Sequence, residues 1–599
     1  MTTVKSPYNF VPAPTEDQVF KPEWANQVSH DIPFEDGESG EIEIEITAET
    51  PIFIRNGHKK PTKNEKPTEE FSYFKDKNGQ KRYFIPATSL KGMLRNVVEI
   101  MSFSRLAPVA LGNTIFGLRD MNNEDYKRKE ISKTNAGWLK KVDGKWMLYP
   151  SNFYKVTIPS VKDYFNIQSI IRKTGNKEEK ISFNKATSIE KYKACKIKNF
   201  LNPVYFDESH FVNKTGQIYK LNKNGDFEGI LIMFGSIDNK KYEYVFEELE
   251  EDQRPLHFDK SLITKALEIN GTEKEKSLWD YFLNELKIEQ IPVFYKEVNG
   301  KVIHFGFSKL YRLNNAEYLK DLEPVASYTN NKEMDLGQTI FGQTSNEESS
   351  LKGRVFFSHA LALGSPKESD KVSYEILGSP KPSYYPFYLK QKDPRNNGYN
   401  TYQNKSSELR GFKKYHVQGQ AKQNEYTQEQ KDSESMVYFR PLESGAKFTF
   451  KLRYHNLKPF ELGALLSALT YHNNHDQLRH NLGMAKSMGY GRIKMDVKMD
   501  SENLKKYLKI FEVEINEHSL QKFNKKWTDT DQIKDLGSLA KVGTDYARLN
   551  FPKLEAEKFN PRKGRKEKIN EFNEIKQMFD FLKAPSDYPG SYFQIKSLL

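Results

Sequence analysis

Isoleucine alternates with glutamate without a break from Glu41 to Ile46. A period of two puts the three isoleucines on one face and the three carboxylates on the other, so the stretch predicts a strand with one buried and one wet face. Such a face has to be covered by another layer. The strand is expected to run on through Thr50-Pro51-Ile52-Phe53-Ile54-Arg55 to Asn56-Gly57. A second alternation sets Phe448, Phe450, Leu452 and Tyr454 against Lys447, Thr449, Lys451 and Arg453, which predicts a strand with a basic outer face.

Two helices are expected beside these strands. Thr88 or Ser89 can cap a helix whose apolar face is Leu90, Leu94, Val97, Val98 and Met101. Lys91 and Arg95 lie four apart in its first two turns, where free N–H groups and partial positive charge already favour an anion, so the pair predicts a phosphate site. Pro459 opens the second helix, Phe460 to Tyr471, buried through Leu462, Leu465, Leu466 and Leu469.

The stretch Asn481 to Val497 is a glycine-rich loop running into a strand in which Ile493, Met495 and Val497 alternate with Lys494 and Asp496. Gly483, Gly489 and Gly491 allow positive φ and close approach of a ligand, while Lys486, Ser487, Tyr490 and Arg492 suit a phosphodiester and a base. The competing reading is an ordinary hairpin whose tyrosine packs in the core.

Between these landmarks, residues 1–36 read as an irregular N-terminal arm, 58–70 as a polar loop, and Asp76 to Gly79 as a hairpin turn. Asp143-Gly144 marks another hairpin inside a long charged region, 120–300, and Ser277 to Phe282 reads as a short amphipathic helix. Gly353 to Ala360 reads as a strand, and 390–435 as a polar, mobile loop. Leu111-Gly112-Asn113-Thr114-Ile115-Phe116-Gly117 is echoed by Leu336-Gly337-Gln338-Thr339-Ile340-Phe341-Gly342, with six of seven positions identical. Ser89-Leu90-Lys91-Gly92 recurs as Ser350-Leu351-Lys352-Gly353, after its echo rather than before it. The echo points to two related units, not a simple tandem copy. Beyond residue 500 the chain turns helical and basic, and Lys558 to Lys568 is its densest positive run, read as a solvated tail.

At 599 residues the chain can hold two or three domains, and 93 Lys+Arg against 80 Asp+Glu give +13, which favours an anionic partner, nucleic acid before a membrane surface. The single cysteine, Cys195, excludes intrachain disulfides and multi-cysteine zinc sites and fits a reducing cytoplasm. No run of about 18 apolar residues and no signal peptide is visible, so a soluble, cytoplasmic protein with no membrane partner is expected.

The pieces TAETPIFIRNG, IPATSLKGMLR, the two IFG elements, GRVFFSHA, ELRGFKKYH, NLKPFELGALLSAL and GMAKSMGYGRIKM, in this order, resemble the RAMP superfamily of CRISPR-associated proteins. The resemblance covers residues 40–120 and 300–500, and it is strongest to the large RAMP proteins of type III systems, related to the backbone subunits that coat guide RNA. It implies an α+β chain of ferredoxin-like domains resembling an RNA-recognition motif, enlarged by hairpin and loop insertions. The echo favours two such RAMP domains, 37–300 and 301–500, followed by a mostly helical basic region, 501–599. The alternative is one fold split by an insertion at about 120–300. The implied partners are guide RNA, target RNA and other CRISPR-associated subunits. Across the matching motifs, the side chains expected on RNA are Arg55, Ser89, Lys91, Arg95, Lys352, Arg354, His359, Arg410, Lys413, Lys414, His416, Lys486, Ser487, Tyr490 and Arg492.

Backbone subunits of type III complexes often cut target RNA with an acidic residue after the first strand and a divalent metal such as Mg, because metal-assisted cleavage needs a hard oxygen ligand near the phosphate. Here the loop from His58 to Phe71 has no aspartate and offers Glu65, Glu69 and Glu70, with Asp76 at the next turn. That departure favours an RNA-binding scaffold that needs no cofactor over a metal-dependent nuclease. A third function, guide processing by a histidine acid/base, would fall to His359 or His416 beside Arg354, Lys413 and Lys414. His472, His475 and His480 have some metal-like spacing but are expected to face solvent.

Overall fold

The computed structural model describes the chain except for residues 1–5, 58–66, 107–113, 122, 124–125, 128–130, 132–133, 175–176, 198–199, 214–215, 237–239, 251–252, 270–277, 315, 326–332, 345–349, 379–380, 392–398, 434, 543–555, 561–564, 570–584 and 588–592. Glu65, the start of the first IFG element, Ser277, residues 392–398 and 434 of the 390–435 loop and the side chains of most of the Lys558–Lys568 run lie outside the described residues. The rest forms two compact units, one of residues 1–110, 320–400 and 407–599, the other of 111–319 and 401–406.

In the first unit the elements used below are β1 (Tyr8–Val11), β2 (Glu38–Ala48), β3 (Tyr73–Lys75), β4 (Lys81–Ile85), α1 (Ala87–Met101), β5 (Val355–Phe357), β6 (Ala360–Ala362), β7 (Phe412–Tyr415), β8 (Lys447–Leu457), α2 (Pro459–Thr470), β9 (His480–Asn481), β10 (Arg492–Lys498), α3 (Ser501–Phe523) and α4 (Asp531–Ala540). An antiparallel sheet runs β9–β10–β2–β8–β6–β4–β3, with β5 also paired to β8. The alternation at 41–46 explains why β2 sits inside it. Ile42, Ile44 and Ile46 are buried against the helical layer, while Glu41 meets Lys451 and Arg453 on β8, and Glu45 meets Lys447 at 3.3 Å. Glu41 and Arg453 stand directly opposite in the ladder and the other two pairs are diagonal neighbours, both favourable arrangements of opposite charge that reinforce this register. After Ala48 the strand ends, and Ile52 and Arg55 make only isolated bridges to Leu442 and Phe71.

Helices α1 and α2 cover the buried face, and Phe460 to Thr470 are buried all round because α3 covers the far side of α2. Strands β10, β2, β8 and β5–β6, with α1 and α2 in their connections, have the order of one split β-α-β unit. The two halves expected to fold separately thus share one sheet. β2 and α1 precede residue 300, and β8, α2 and β10 follow it. The boundaries 37–300, 301–500 and 501–599 do not follow the compact units.

The echo also fails structurally. Leu336–Phe341 is a helix capped by Asp335, whereas Ile115 and Leu118 make isolated strand bridges. Leu90 and Lys91 lie in α1, but Leu351–Lys352 is a strand. The same short sequence takes whichever backbone its surroundings impose.

The arm expected to be irregular contains β1, which pairs with β7, because Tyr8 and Phe10 bury their rings against Phe387 and Tyr388. The C-terminal region is part of the first unit's core through Phe511, Trp527, Leu536 and Ile595, and its described residues also include a hairpin, Ala556–Asn560 with Arg565–Ile569. Among the described residues no helix is long and apolar enough to cross a membrane.

The second unit holds a closed five-stranded barrel, of Phe153–Thr157, Val204–Asn213, Gly216–Leu221, Phe227–Ile232 and Tyr242–Phe246. It also holds a five-stranded sheet that includes the hairpin turned by Asp143-Gly144. Lys191, on the helix Ser188–Ala194, is fully buried with its Nζ 2.8 Å from Oε1 of Glu243 on a barrel strand.

Candidate nucleic-acid interface

The N-terminus of α1, strand β7 and the loop after β9 converge on a cleft of about 670 Å³ in the first unit. Five cations line it, Arg55, Lys413, Lys414, Arg479 and Lys486, and no carboxylate is among the described lining residues. Pro86, Thr88, Ser89 and Asn96 of the α1 segment form one wall, and Tyr415, Asn481 and Gly483 part of the other.

Two of the cations are offset from behind. Arg479 Nε lies 2.7 Å from Glu49, and Arg55 Nε lies 3.7 Å from Glu69. The three lysines have neutral neighbours instead. Lys413 donates to the Tyr388 hydroxyl at 2.9 Å and sits 3.8 Å from the centre of the Tyr8 ring. Lys414 donates to Asn96 Oδ1 at 3.2 Å, and Lys486 lies 5.7 Å from the Tyr415 ring centre. Burial pulls Lys413 down to about 8. Burial, and then the charge of Lys486, pulls Lys414 down to about 8 as well. Lys486 is also lowered by burial. Three desolvated ammonium groups without a carboxylate form a site that an anion would stabilise.

Of the residues expected on RNA, Arg55, Ser89, Lys413, Lys414 and Lys486 line this cleft. The others do not. Tyr490 is buried, its ring 5.5 Å from Phe439 and its hydroxyl 3.0 Å from Ser373 Oγ, so it packs in the core as the competing hairpin reading has it. Gly483, Gly489 and Gly491 do take positive φ, of 90°, 81° and 73°. What approaches them is the protein itself, since a Cβ would meet the carbonyls of Phe53, Gln420 and Leu482. Ser487 is buried, and Arg492 donates to Gly419 O at 2.7 Å beside Glu49.

The expected phosphate pair at the start of α1 faces away from the cleft. Lys91 donates to Phe341 O at 3.4 Å, and Arg95 pairs with Glu99 at 2.7 Å. Arg354 is fully buried and ion-paired with Glu461, also donating to Thr339 O and Asn456 O. Arg410 is held by Asn9 Oδ1 at 3.0 Å and by the Phe10 ring. Lys352 is exposed above Phe356. His416 is buried and pushed down to about 3 by desolvation, so it is uncharged near neutral pH. His359 is exposed and accepts from the Ala87 N–H at 3.0 Å. It therefore does the capping expected of Thr88 or Ser89, since α1 begins immediately after Pro86.

The three histidines expected at the surface are partly interior. His472 lies between Ser467 and Glu512, and His480 stacks on Tyr471 at 4.4 Å. The described carboxylates after β2 are engaged: Glu69 near Arg55, Glu70 with Lys81 at 3.0 Å, and Asp76 by Arg82 and the backbone of Asn78 and Gln80. Sequence reasoning missed Arg479 and Asn96. Arg479 stands two residues before the glycine-rich stretch, and that adjacency was the signal.

The model of the RAMP superfamily matches residues 45–494. No curated protein matches the chain. Among solved structures, a chain of a CRISPR RNA-guided surveillance complex in a pre-nicking state is 9% identical, covering 80% of this chain and 88% of its own, with a TM-score of 0.20. An apo type III-B Cmr-beta complex gives 10% identity, 77% and 98% coverage and 0.17. Csc2 of Thermofilum pendens gives 17%, 32% and 46%, and 0.13. Scores this low define no shared arrangement of elements.

Proposed function

The chain belongs to the RAMP superfamily, and on that premise we propose that it is a guide-RNA-binding backbone subunit of a type III CRISPR effector complex, working in the cytoplasm with target RNA and other CRISPR-associated subunits. The observation that carries this reading is the group Lys413, Lys414 and Lys486, three half-buried cations facing one cleft with no carboxylate on its described walls. Phosphates are the anions such a groove suits, because charge-assisted hydrogen bonds to them are strong and sequence-tolerant. Binding needs no metal on this reading. The described carboxylates that a nuclease would use are already held by cations or backbone N–H groups, which supports a scaffold role.

The test is incubation of the full chain with labelled guide and target RNA, with and without EDTA. Salt-sensitive binding with both RNAs intact in each arm is expected. Target cleavage abolished by EDTA would replace the scaffold by a metal-dependent nuclease, and guide cleavage that survives EDTA would make it a processing ribonuclease. Equal affinity for duplex DNA would remove the RNA assignment.

A further inference from the structure

Tyr83 and Ile85 tie the hairpin of β3 and β4 to the core, but its other face is absorbed neither by the core nor by the lysine cleft. Phe74 is 46% exposed, its ring centre 6.0 Å from Phe84, which in turn lies 5.0 Å from exposed His359. Leu361, 47% exposed, pairs across the sheet with Phe84 and extends the apolar strip. Lys75 and Lys77 are exposed at the turn, and no ion pair among the described residues holds either. On the same face as the two phenylalanines, Arg82 Nε lies 3.0 Å from Asp76.

We propose that Phe74, Phe84 and His359 form a base-stacking subsite for single-stranded RNA, a reading that rests on the RNA-binding function above. Two observations separate this from a protein-docking strip. The hairpin is basic as well as aromatic, the combination found in single-strand binding grooves, whereas the centres of protein interfaces are depleted of charge. The row also continues the cleft. His359 Nδ1 accepts from Ala87, whose neighbours Pro86 and Thr88 line the cleft beside the lysines. Bases can therefore lie on the rings while the adjoining phosphates enter the cleft. The hydrogen bond from Ala87 to Nδ1 fixes the imidazole beside Phe84, its ring centre 5.0 Å away.

The test compares the full-length wild type, a Phe74→Leu/Phe84→Leu variant and a Lys413→Gln/Lys414→Gln/Lys486→Gln variant on single-stranded RNA carrying 5-iodouridine. Leucine keeps apolar bulk but removes the π-face. The expected result is a roughly 5- to 100-fold weaker affinity for the leucine variant with an unchanged salt slope, and wild-type crosslinks in peptides containing Phe74 or Phe84. Unchanged affinity in the leucine variant, with weakened binding in the glutamine variant, would overturn the stacking subsite and leave the RNA-binding function standing. Unchanged affinity in both would overturn both. Loss of self-association with RNA affinity intact would make the strip a protein contact and equally overturn the proposal. If the double variant lowers the melting temperature, exposed Phe74→Leu alone gives the same discrimination.

Discussion

A lysine is a useful phosphate ligand only if it is charged when the phosphate arrives. Lys413 and Lys414 are pulled down to about 8, so the free protein begins to lose these protons two pH units earlier than ordinary lysines. Bound phosphate restores them, and binding above pH 8 therefore takes up protons. RNA affinity is expected to be flat from pH 6 to 7 and to fall from about pH 8, which a titration of affinity against pH at constant ionic strength would show. Folding has the opposite sign. The unfolded lysines keep their protons up to about 10.4, so between 8 and that value the unfolded state binds more protons. The free protein should gain stability as pH rises through this window, and below it the full desolvation cost is present. Tyr490 gives the contrasting residue-scale prediction. Its buried ring on Phe439 makes Tyr490→Ala cost about 3–5 kcal/mol of stability, read in urea, with RNA affinity per folded molecule unchanged. Sequence could name the residue types in the glycine-rich loop but could not say what the tyrosine faces. A tyrosine between glycines reads alike whether its partner is a base or Phe439.

At the scale of elements, β1 does for β7 what a sequence reading of the first 36 residues cannot anticipate. Four residues rich in aromatics, in a segment punctuated by proline, carry no periodicity, yet pairing along Tyr8–Val11 fixes the strand that bears Lys413 and Lys414. Tyr8, Tyr388 and Tyr415 surround the Lys413 ammonium at 3.8, 5.4 and 5.8 Å. A Tyr8→Ala/Phe10→Ala variant should wet this lysine, returning its titration toward the ordinary range while loosening its position. RNA affinity should then weaken at pH 7, and the pH at which it falls should rise, a pair of changes that simple destabilisation does not produce. Isotope-edited NMR of the lysine side chains would follow the titration directly. By contrast, β2, α1, β8, α2 and β10 were legible, because each alternates or repeats with the period of its own backbone over enough residues to exclude the other. The cap of α1 was not, since the acceptor for Ala87 comes from His359, far away in the chain.

For the whole molecule the sequence was least informative, because two matching heptapeptides suggested two folds while long-range pairing placed the strands in one sheet. Pairing partners hundreds of residues apart leave no local trace. The net charge of +13 is also ambiguous. It could attract RNA diffusely, or binding could depend on where the unbalanced cations stand. Two triple variants separate these cases, since each takes the formal charge from +13 to +10. Lys413→Gln/Lys414→Gln/Lys486→Gln empties the cleft. Lys447→Gln/Lys451→Gln/Lys498→Gln removes cations on the outer face of the sheet that Glu41 and Glu45 already oppose at 2.5 to 3.7 Å. Each phosphate neutralised on a single strand contributes about 0.7 to the slope of log affinity against log salt. The cleft variant should lower that slope by about 2, while the outer-face variant should leave both slope and affinity near the wild-type values. Equal losses would mean that the excess charge acts as a field over the whole surface, and that the cleft is only one part of it.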